Sequence, residues 1–235
     1  MNGPPDRGSF DGYAANYDAA LTRGIAVSGE DKLYFAQGRI AWLARCLREL
    51  GEQPRLVLDF GCGTGSATPF FFELLGAEQV TGVDVSAQSL QIARETYPAL
   101  AARFHLFGEY EPAGAADLVF CNGVFHHIPL ADRAAAVDYI RRSLRPGGLL
   151  AFWENNPWNP GTRYVMWRIP FDRDALPLYP TAARRLVQSG GFDPINTSFQ
   201  FIFPRLLSWF RPFEPSLARW PLGAQYQLLA RRRVE

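Results

Sequence analysis

The 235-residue chain is 48% hydrophobic and 20% charged, with 24 basic against 23 acidic side chains and a formal net charge of +1. Such a length and apolar content support a globular protein of one to two domains with a full core. The near-neutral charge argues against general nucleic-acid binding, although every basic residue except Lys32 is arginine. Three cysteines, Cys46, Cys62 and Cys121, exclude a disulfide framework and lack zinc-ligand spacing. With no amino-terminal signal region and no run of about 18 apolar residues, a cytoplasmic protein without a transmembrane segment is expected.

Residues 1–9 (MNGPPDRGS) are polar and rich in Gly and Pro, which predicts a disordered start. From 10 to 51 the aromatics Phe10, Tyr13, Tyr17, Tyr34 and Phe35 recur among small and polar residues. They form either an apolar face packed on the main domain or a lid over a cofactor cleft, with Tyr17 as a cofactor contact. Ile40, Leu43, Leu47 and Leu50 then repeat at helical spacing until Gly51 stops the helix.

The most informative stretch follows. An apolar run, Leu56 to Leu58, leads into Asp59, then Gly61, Gly63 and Gly65, then small residues and Phe70, Phe71 and Phe72. That order reads as a buried strand, a glycine-rich turn and the start of a helix. Glycines at alternate positions let a ligand approach the backbone, and amides at the next helix start favour an acidic or hydroxylated group. The dinucleotide fingerprint G-x-G-x-x-G is not met, because the third glycine comes one residue early and Ser66 holds the required position. Cys62, inside the turn, reads as packing rather than as a nucleophile.

A helix through Leu75 ends at Gly76, and Gln79 to Asp84 reads as a second strand with Asp84 at its carboxyl end and Ser86 as the next helix cap. An acid about twenty residues after the glycines can accept hydrogen bonds from both hydroxyls of a ribose. Arg103 to Phe107 is a third strand ending near Glu109 and Tyr110, and Asp117 to Cys121 a fourth, running into Asn122, Gly123, His126 and His127. A helix from Ala131 to Leu144, a turn at Arg145–Gly148 and a fifth strand, Leu149 to Trp153, complete an alternation that predicts a doubly wound parallel sheet.

The string D-F-G-C-G-T-G at 59–65 resembles motif I of the class I S-adenosylmethionine-dependent methyltransferases, and L-R-P-G-G-L-L at 144–150 is similar to the same family's turn before strand five. The resemblance covers 56–153. It implies a seven-stranded, mostly parallel sheet with a C-terminal antiparallel hairpin and an N-terminal helical and aromatic cap (10–51), a cofactor core (55–154) and a substrate-side region (155–235), all in one domain. It further implies S-adenosylmethionine (SAM), with S-adenosylhomocysteine as product, held by Asp59, Gly61, Cys62, Gly63, Gly65, Asp84, Val85, Glu109, Tyr110, Asn122 and Gly123. Metal-dependent members need a carboxylate cluster, and none is legible.

Past residue 153 the chain departs from the family's generic pattern. Glu154 to Pro160 reads as a structured loop facing the mouth of the cleft, because its prolines break regular structure. Thr181 to Ser189 reads as a helix, Asn196 to Phe203 as a strand and Gln225 to Ala230 as the last strand. Between these strands the aromatic insert at 206–222 is expected over the substrate side, as an extra core-closing helix, an apolar wall or a membrane-surface patch. His126 and His127 are the leading general-base candidates, since imidazole titrates near neutrality. Glu154 is the next candidate, for catalysis or anchoring. These features predict methyl transfer to a small, hydrophobic acceptor. The competing readings are a non-catalytic SAM-binding partner, a nicotinamide-dependent oxidoreductase, and a protein or nucleic-acid methyltransferase; the acceptor motif of base amino-group methylation is absent after strand four. Oligomeric state does not follow from the sequence.

Overall fold

The computed structural model describes residues 23–169 and 175–234. Residues 1–9, expected to be disordered, Phe10, Tyr13 and the expected contact Tyr17 lie outside these residues. Seven strands, β1 (Leu56–Phe60), β2 (Gln79–Asp84), β3 (Ala102–Leu106), β4 (Ala116–Asn122), β5 (Leu144–Asn155), β6 (Phe192–Gln200) and β7 (Gln225–Arg232), form one sheet in the order β3-β2-β1-β4-β5-β7-β6. The first five pair in parallel, and β7 runs antiparallel to both β5 and β6. The architecture is the doubly wound sheet that the alternation of elements predicts, with the terminal antiparallel hairpin that the resemblance implies.

Strand periodicity divides the core between the two faces of the sheet. Val57, Leu118, Phe120, Leu149, Ala151 and Trp153 bury on one face, under α1 (Lys32–Leu50) and α2 (Thr68–Leu75). Leu58, Val119, Cys121, Leu150 and Phe152 bury on the other, under α4 (Arg133–Ser143) and α6 (Pro180–Ser189). The intervening α3 (Ala87–Thr96) packs Leu90 and Ala93 on Phe104 and Cys62. Local chemistry places the helix ends: Asp31 accepts from the Tyr34 amide at 2.8 Å, Ser86 Oγ from the Ser89 amide at 3.2 Å, and Gly51 closes α1 at φ 71°.

Three boundaries differ from the sequence reading. The fifth strand, expected from Leu149 after a turn at Arg145–Gly148, begins at Leu144, because Leu144 already pairs with Ala116 and the expected turn falls at a register shift inside β5. The strand expected at 196–203 starts earlier and ends at Gln200, because β6 is the sheet's outermost strand, where Pro194 costs no central ladder bond and sits at a register shift. Phe201, at φ 63°, then turns the chain away from the sheet. The expected loop 154–160 is also shorter, since β5 pairs through Asn155 with Gln225. Pro160 opens a helix, α5 (Pro160–Arg168), instead of preventing one: the first helical position has no amide partner to lose, and Asn159 Oδ1 caps the Thr162 amide at 3.0 Å.

Phe71 of α2 is fully buried and meets Phe120 of β4 edge-on, with ring centroids 5.3 Å apart. Phe71→Ala is expected to lower stability by about 3–5 kcal/mol in urea unfolding; a loss under about 1 kcal/mol would show that α2 does not hold this face.

Candidate functional site

The carboxyl ends of β1, β2 and β4 meet at the glycine turn. There the amides of Gly61 and Cys62 both bond the Val83 carbonyl, at 2.8 and 3.1 Å, which locks the turn to β2. Gly61, at φ 74°, lies so close to Val124 that a Cβ would collide with Val124 Cγ2. Gly63, at φ 52°, has nothing within 4 Å of where a Cβ would stand, so its backbone faces open space. No side chain caps the following helix α2; the Thr68 and Phe70 amides bond the Gly65 and Ala67 carbonyls at 2.9 and 3.1 Å, and Pro69 between them has no amide hydrogen, so the turn itself closes this helix start.

Asp84 fastens the turn from the other side. Its Oδ2 accepts from the Gly63 amide at 2.8 Å and its Oδ1 from the Ser86 amide at 2.9 Å. Val85 follows it, and Glu109 and Tyr110 stand beyond the end of β3, where the Glu109 amide bonds the Leu106 carbonyl and the Tyr110 carbonyl accepts from the Tyr139 hydroxyl. Asp59 is 3% exposed; burial, then the neighbouring Asp84 carboxylate, push its carboxyl up to about 8, against the opposing field of Arg39. Burial and the same two carboxylates drive the Cys62 thiol well above its usual range, so it is packed and not a nucleophile. Gly65 closes the turn against Thr68, Tyr97 and Ala93.

From Gly61, Cys62, Gly63 and Asn122 a cavity of about 420 Å³ opens toward the C-terminal half of the chain. One wall is apolar, made by Phe35, Val165, Met166, Ile169 and Phe201; another carries Asn155, Asn159, Thr162 and Gln225. Asn122 Oδ1, on this cavity's boundary, is buried without a hydrogen-bond partner. Basic groups outnumber acids in the lining: Lys32, Arg39 and Arg211 against Glu30. Arg39 Nε donates to Gln225 Oε1 at 2.9 Å. Arg211 pairs with Glu30 at 2.8 Å, lies 4.7 Å over the Tyr34 ring and donates to the Phe203 carbonyl, so it joins the insert to the N-terminal segment across the cavity.

The three residues expected to do acid–base work do not line this cavity. Glu154, expected in a loop facing the cleft mouth, is 1% exposed inside β5, because the strand continues past it. Its Oε1 accepts from the Phe125 and His126 amides at 2.8 and 3.3 Å, and its Oε2 lies 2.6 Å from His126 Nδ1. His126 is itself 4% exposed, and His127 stacks on it with ring centroids 4.0 Å apart. Gly123 donates to the Trp153 carbonyl at 2.9 Å, which completes the tie between the post-β4 loop and β5.

The structure therefore gathers Asp59, Asp84, Asn122 and the glycines at one edge and sets the histidines behind it. Sequence reasoning missed Glu30, Arg39, Arg211 and Gln225, which meet only through long-range packing. Asn159 had a local signal, since Asn before Pro is a helix-start pair. Of the insert at 206–222 only Arg211 lines the cavity, whereas Leu206, Trp209, Phe213 and Trp220 are exposed; the residues just before it, 201–204, join the apolar lining instead. Among the described residues no group of His, Cys, Asp and Glu could hold a metal ion.

A family model for a methyltransferase domain matches residues 58–150. A trans-aconitate 2-methyltransferase of Rhizobium leguminosarum is 37% identical over 100 residues, 43% of this chain and 38% of that relative. The chain thus spans about two fifths of the length of the curated relatives it matches. A solved S-adenosylmethionine-dependent methyltransferase from Mesorhizobium loti superposes with a TM-score of 0.59 at 20% identity, over 84% of this chain and all of that one. Human N-acetylserotonin methyltransferase, solved with SAM, superposes with a TM-score of 0.63 at 17% identity, over 92% of this chain and 56% of that one. These likenesses establish the fold.

Removing the Glu154 carboxylate would leave the buried amides of Phe125 and His126 without an acceptor. Glu154→Ala is expected to cost about 3–5 kcal/mol in denaturant unfolding, and Glu154→Gln, which keeps one carbonyl oxygen there, distinctly less. Equal losses would mean that the carboxylate does not hold the loop.

Proposed function

We propose that the chain, whose residues 58–150 match a family model for a methyltransferase domain, transfers a methyl group from SAM to a small acid with an apolar body. The observation that carries this reading is the cavity that begins at the glycine turn and Asn122 and ends at Val165, Met166, Ile169 and Phe201. The residues at its inner end fit a cationic, ribose-bearing cofactor. Two acids, Asp59 and Asp84, stand at the turn, a buried Asn122 oxygen lacks a partner, and the Gly63 backbone is open.

In this reading Asp84 takes the ribose hydroxyls, Asp59 and Asn122 Oδ1 favour the cationic end, and Glu109 with Tyr110 borders the adenine. Bound SAM supplies a methyl group already activated on a sulfonium. The chain's own work is to bind, orient and exclude water, since in-line transfer depends on holding the acceptor close and aligned. The basic excess of Lys32, Arg39 and Arg211 over Glu30 supports an anionic acceptor, and the apolar wall supports its hydrophobic body. The trans-aconitate acceptor in the relative's name is likewise an acid. An acid arrives already ionised near neutral pH and needs no protein base, which agrees with a cavity wall that contains neither histidine. His126 and Glu154 then act as positioning residues for the loop beneath the cofactor.

Methyl-labelled SAM offered with hydrophobic carboxylic acids and their neutral amides tests the acceptor class. Label is expected in the acids; label confined to the amides, or transferred to nothing, would contradict it. Asp84→Ala should weaken SAM binding by about 1.5–3 kcal/mol, roughly ten- to a hundredfold, in calorimetry, and unchanged affinity would refute the ribose assignment.

Asp59 predicts a pH dependence. A carboxyl raised to about 8 is mostly protonated near neutrality, and a cationic ligand favours its charged form. SAM binding should therefore release protons, with affinity rising with pH until about 8 and a calorimetric enthalpy that depends on the buffer. Asp59→Asn should abolish both effects. The same shift makes the wild-type contribution of Asp59 to folding greatest below its ordinary value of 3.8 and smaller as pH rises toward 8.

A further inference from the structure

The segment 205–213 is amphipathic in the reverse of the usual sense. Leu206, Trp209, Phe210 and Phe213 follow the spacing of one helical face, yet that face is turned to solvent: Leu206 is 82% exposed, Trp209 67% and Phe213 61%. Of its two arginines, Arg205 is exposed while Arg211 points inward, to Glu30, Tyr34 and the Phe203 carbonyl. A segment built only to close the core would show the opposite arrangement.

The pattern continues on the cavity's other wall. α5 lines the cavity with Thr162, Val165 and Met166 and exposes Tyr164 and Trp167. The loop after 217 exposes Trp220, 64% accessible, and Leu222, and Asn159 at the start of α5 bonds the Leu222 carbonyl at 2.7 Å. Every large aromatic side chain that is exposed among the described residues falls between Trp158 and Trp220, including four of the chain's six tryptophans. Apolar exposure of this density marks a surface that meets something other than water.

Charge decides between occupants. Exposed Arg163 and Arg168 flank the α5 aromatics, and exposed Arg205 and Arg219 flank those of the insert. Residues 158–169 contain no acid, and 203–222 contain only Glu214, whose Oε1 is engaged by the Ile202 and Phe203 amides at 3.1 and 2.8 Å. A chain of net charge +1 thus concentrates arginine and tryptophan around one cavity, and within these two described stretches its one acid, Glu214, is engaged. Tryptophan and phenylalanine enter the boundary between headgroups and acyl chains, while arginine meets anionic headgroups. We propose that this face docks on the surface of an anionic lipid bilayer, without spanning it, and sets the cavity at the lipid boundary. No helix among the described residues is long and apolar enough to cross a membrane, so contact of this kind is peripheral. The docking does not depend on which acceptor the cavity takes.

The test uses the full chain and vesicles of phosphatidylcholine, with and without phosphatidylglycerol, in cosedimentation and tryptophan fluorescence. Binding to the anionic vesicles with a blue shift of emission is expected, about tenfold or more weaker on neutral vesicles and in high salt. Trp209→Glu combined with Phe213→Glu should abolish it while SAM affinity and the far-ultraviolet circular dichroism stay unchanged. Should that variant fail to fold, Arg205→Glu with Arg219→Glu reads the charge dependence instead. No binding to either vesicle, binding that neither variant weakens, or a dimer that the Trp209 variant splits would each overturn the proposal; the last would assign the face to a second copy of the chain.

Discussion

The Glu154 carboxylate holds the end of β5 to the loop after β4 through two backbone amides and the His126 ring, all out of contact with water. Everything at the site leans on that loop. Val124 packs against Gly61, so the path of the loop fixes how closely the glycine turn can be approached. Asn122 precedes the same loop and presents its unpartnered oxygen at the cavity. A buried carboxylate is costly unless its lone pairs are used, and here the Phe125, His126 and Asn155 amides and the His126 ring use them. The arrangement restricts the loop to one conformation, as a site that works by placement requires.

A second constraint lies at the glycine turn, where Asp59, Asp84 and Cys62 share a small, partly buried space. Asp84 accepts from two backbone amides, whereas burial and then the Asp84 carboxylate raise the Asp59 carboxyl to about 8. Across the cavity the chemistry reverses to arginine, amide and hydrocarbon, so the two ends of one space suit a cationic and an anionic, apolar molecule respectively.

The parallel core was legible because its signals are local. Apolar runs, glycines and caps lie next to the elements they define, and Asp59, Gly61, Gly63, Asp84 and Asn122 come together where the order of strands brings them. The misreadings have a different origin. Glu154 looks like a loop residue because two prolines follow it closely, but its place is decided by pairing with Tyr226, 72 positions away in a strand that was read correctly for its own sake. Pro194 looks incompatible with a strand, and only the position of β6 at the sheet edge makes it acceptable. His126 carries the residue type of a base, and no local pattern announces its Nδ1 contact with Glu154. Arg211 and Glu30 lie far apart in sequence and no local pattern joins them. The direction of the insert's aromatics was equally hidden, since spacing tells which residues share a face but not whether that face turns inward.

The central claim is that the glycine turn with Asp59 and Asp84 is a SAM site. Parallel calorimetric titration of the purified protein with SAM, S-adenosylhomocysteine and NAD addresses it most directly. Micromolar binding of the first two and none of the third is the predicted result. Binding of NAD alone, or of none of the three, would contradict the cofactor assignment and every residue role built on it.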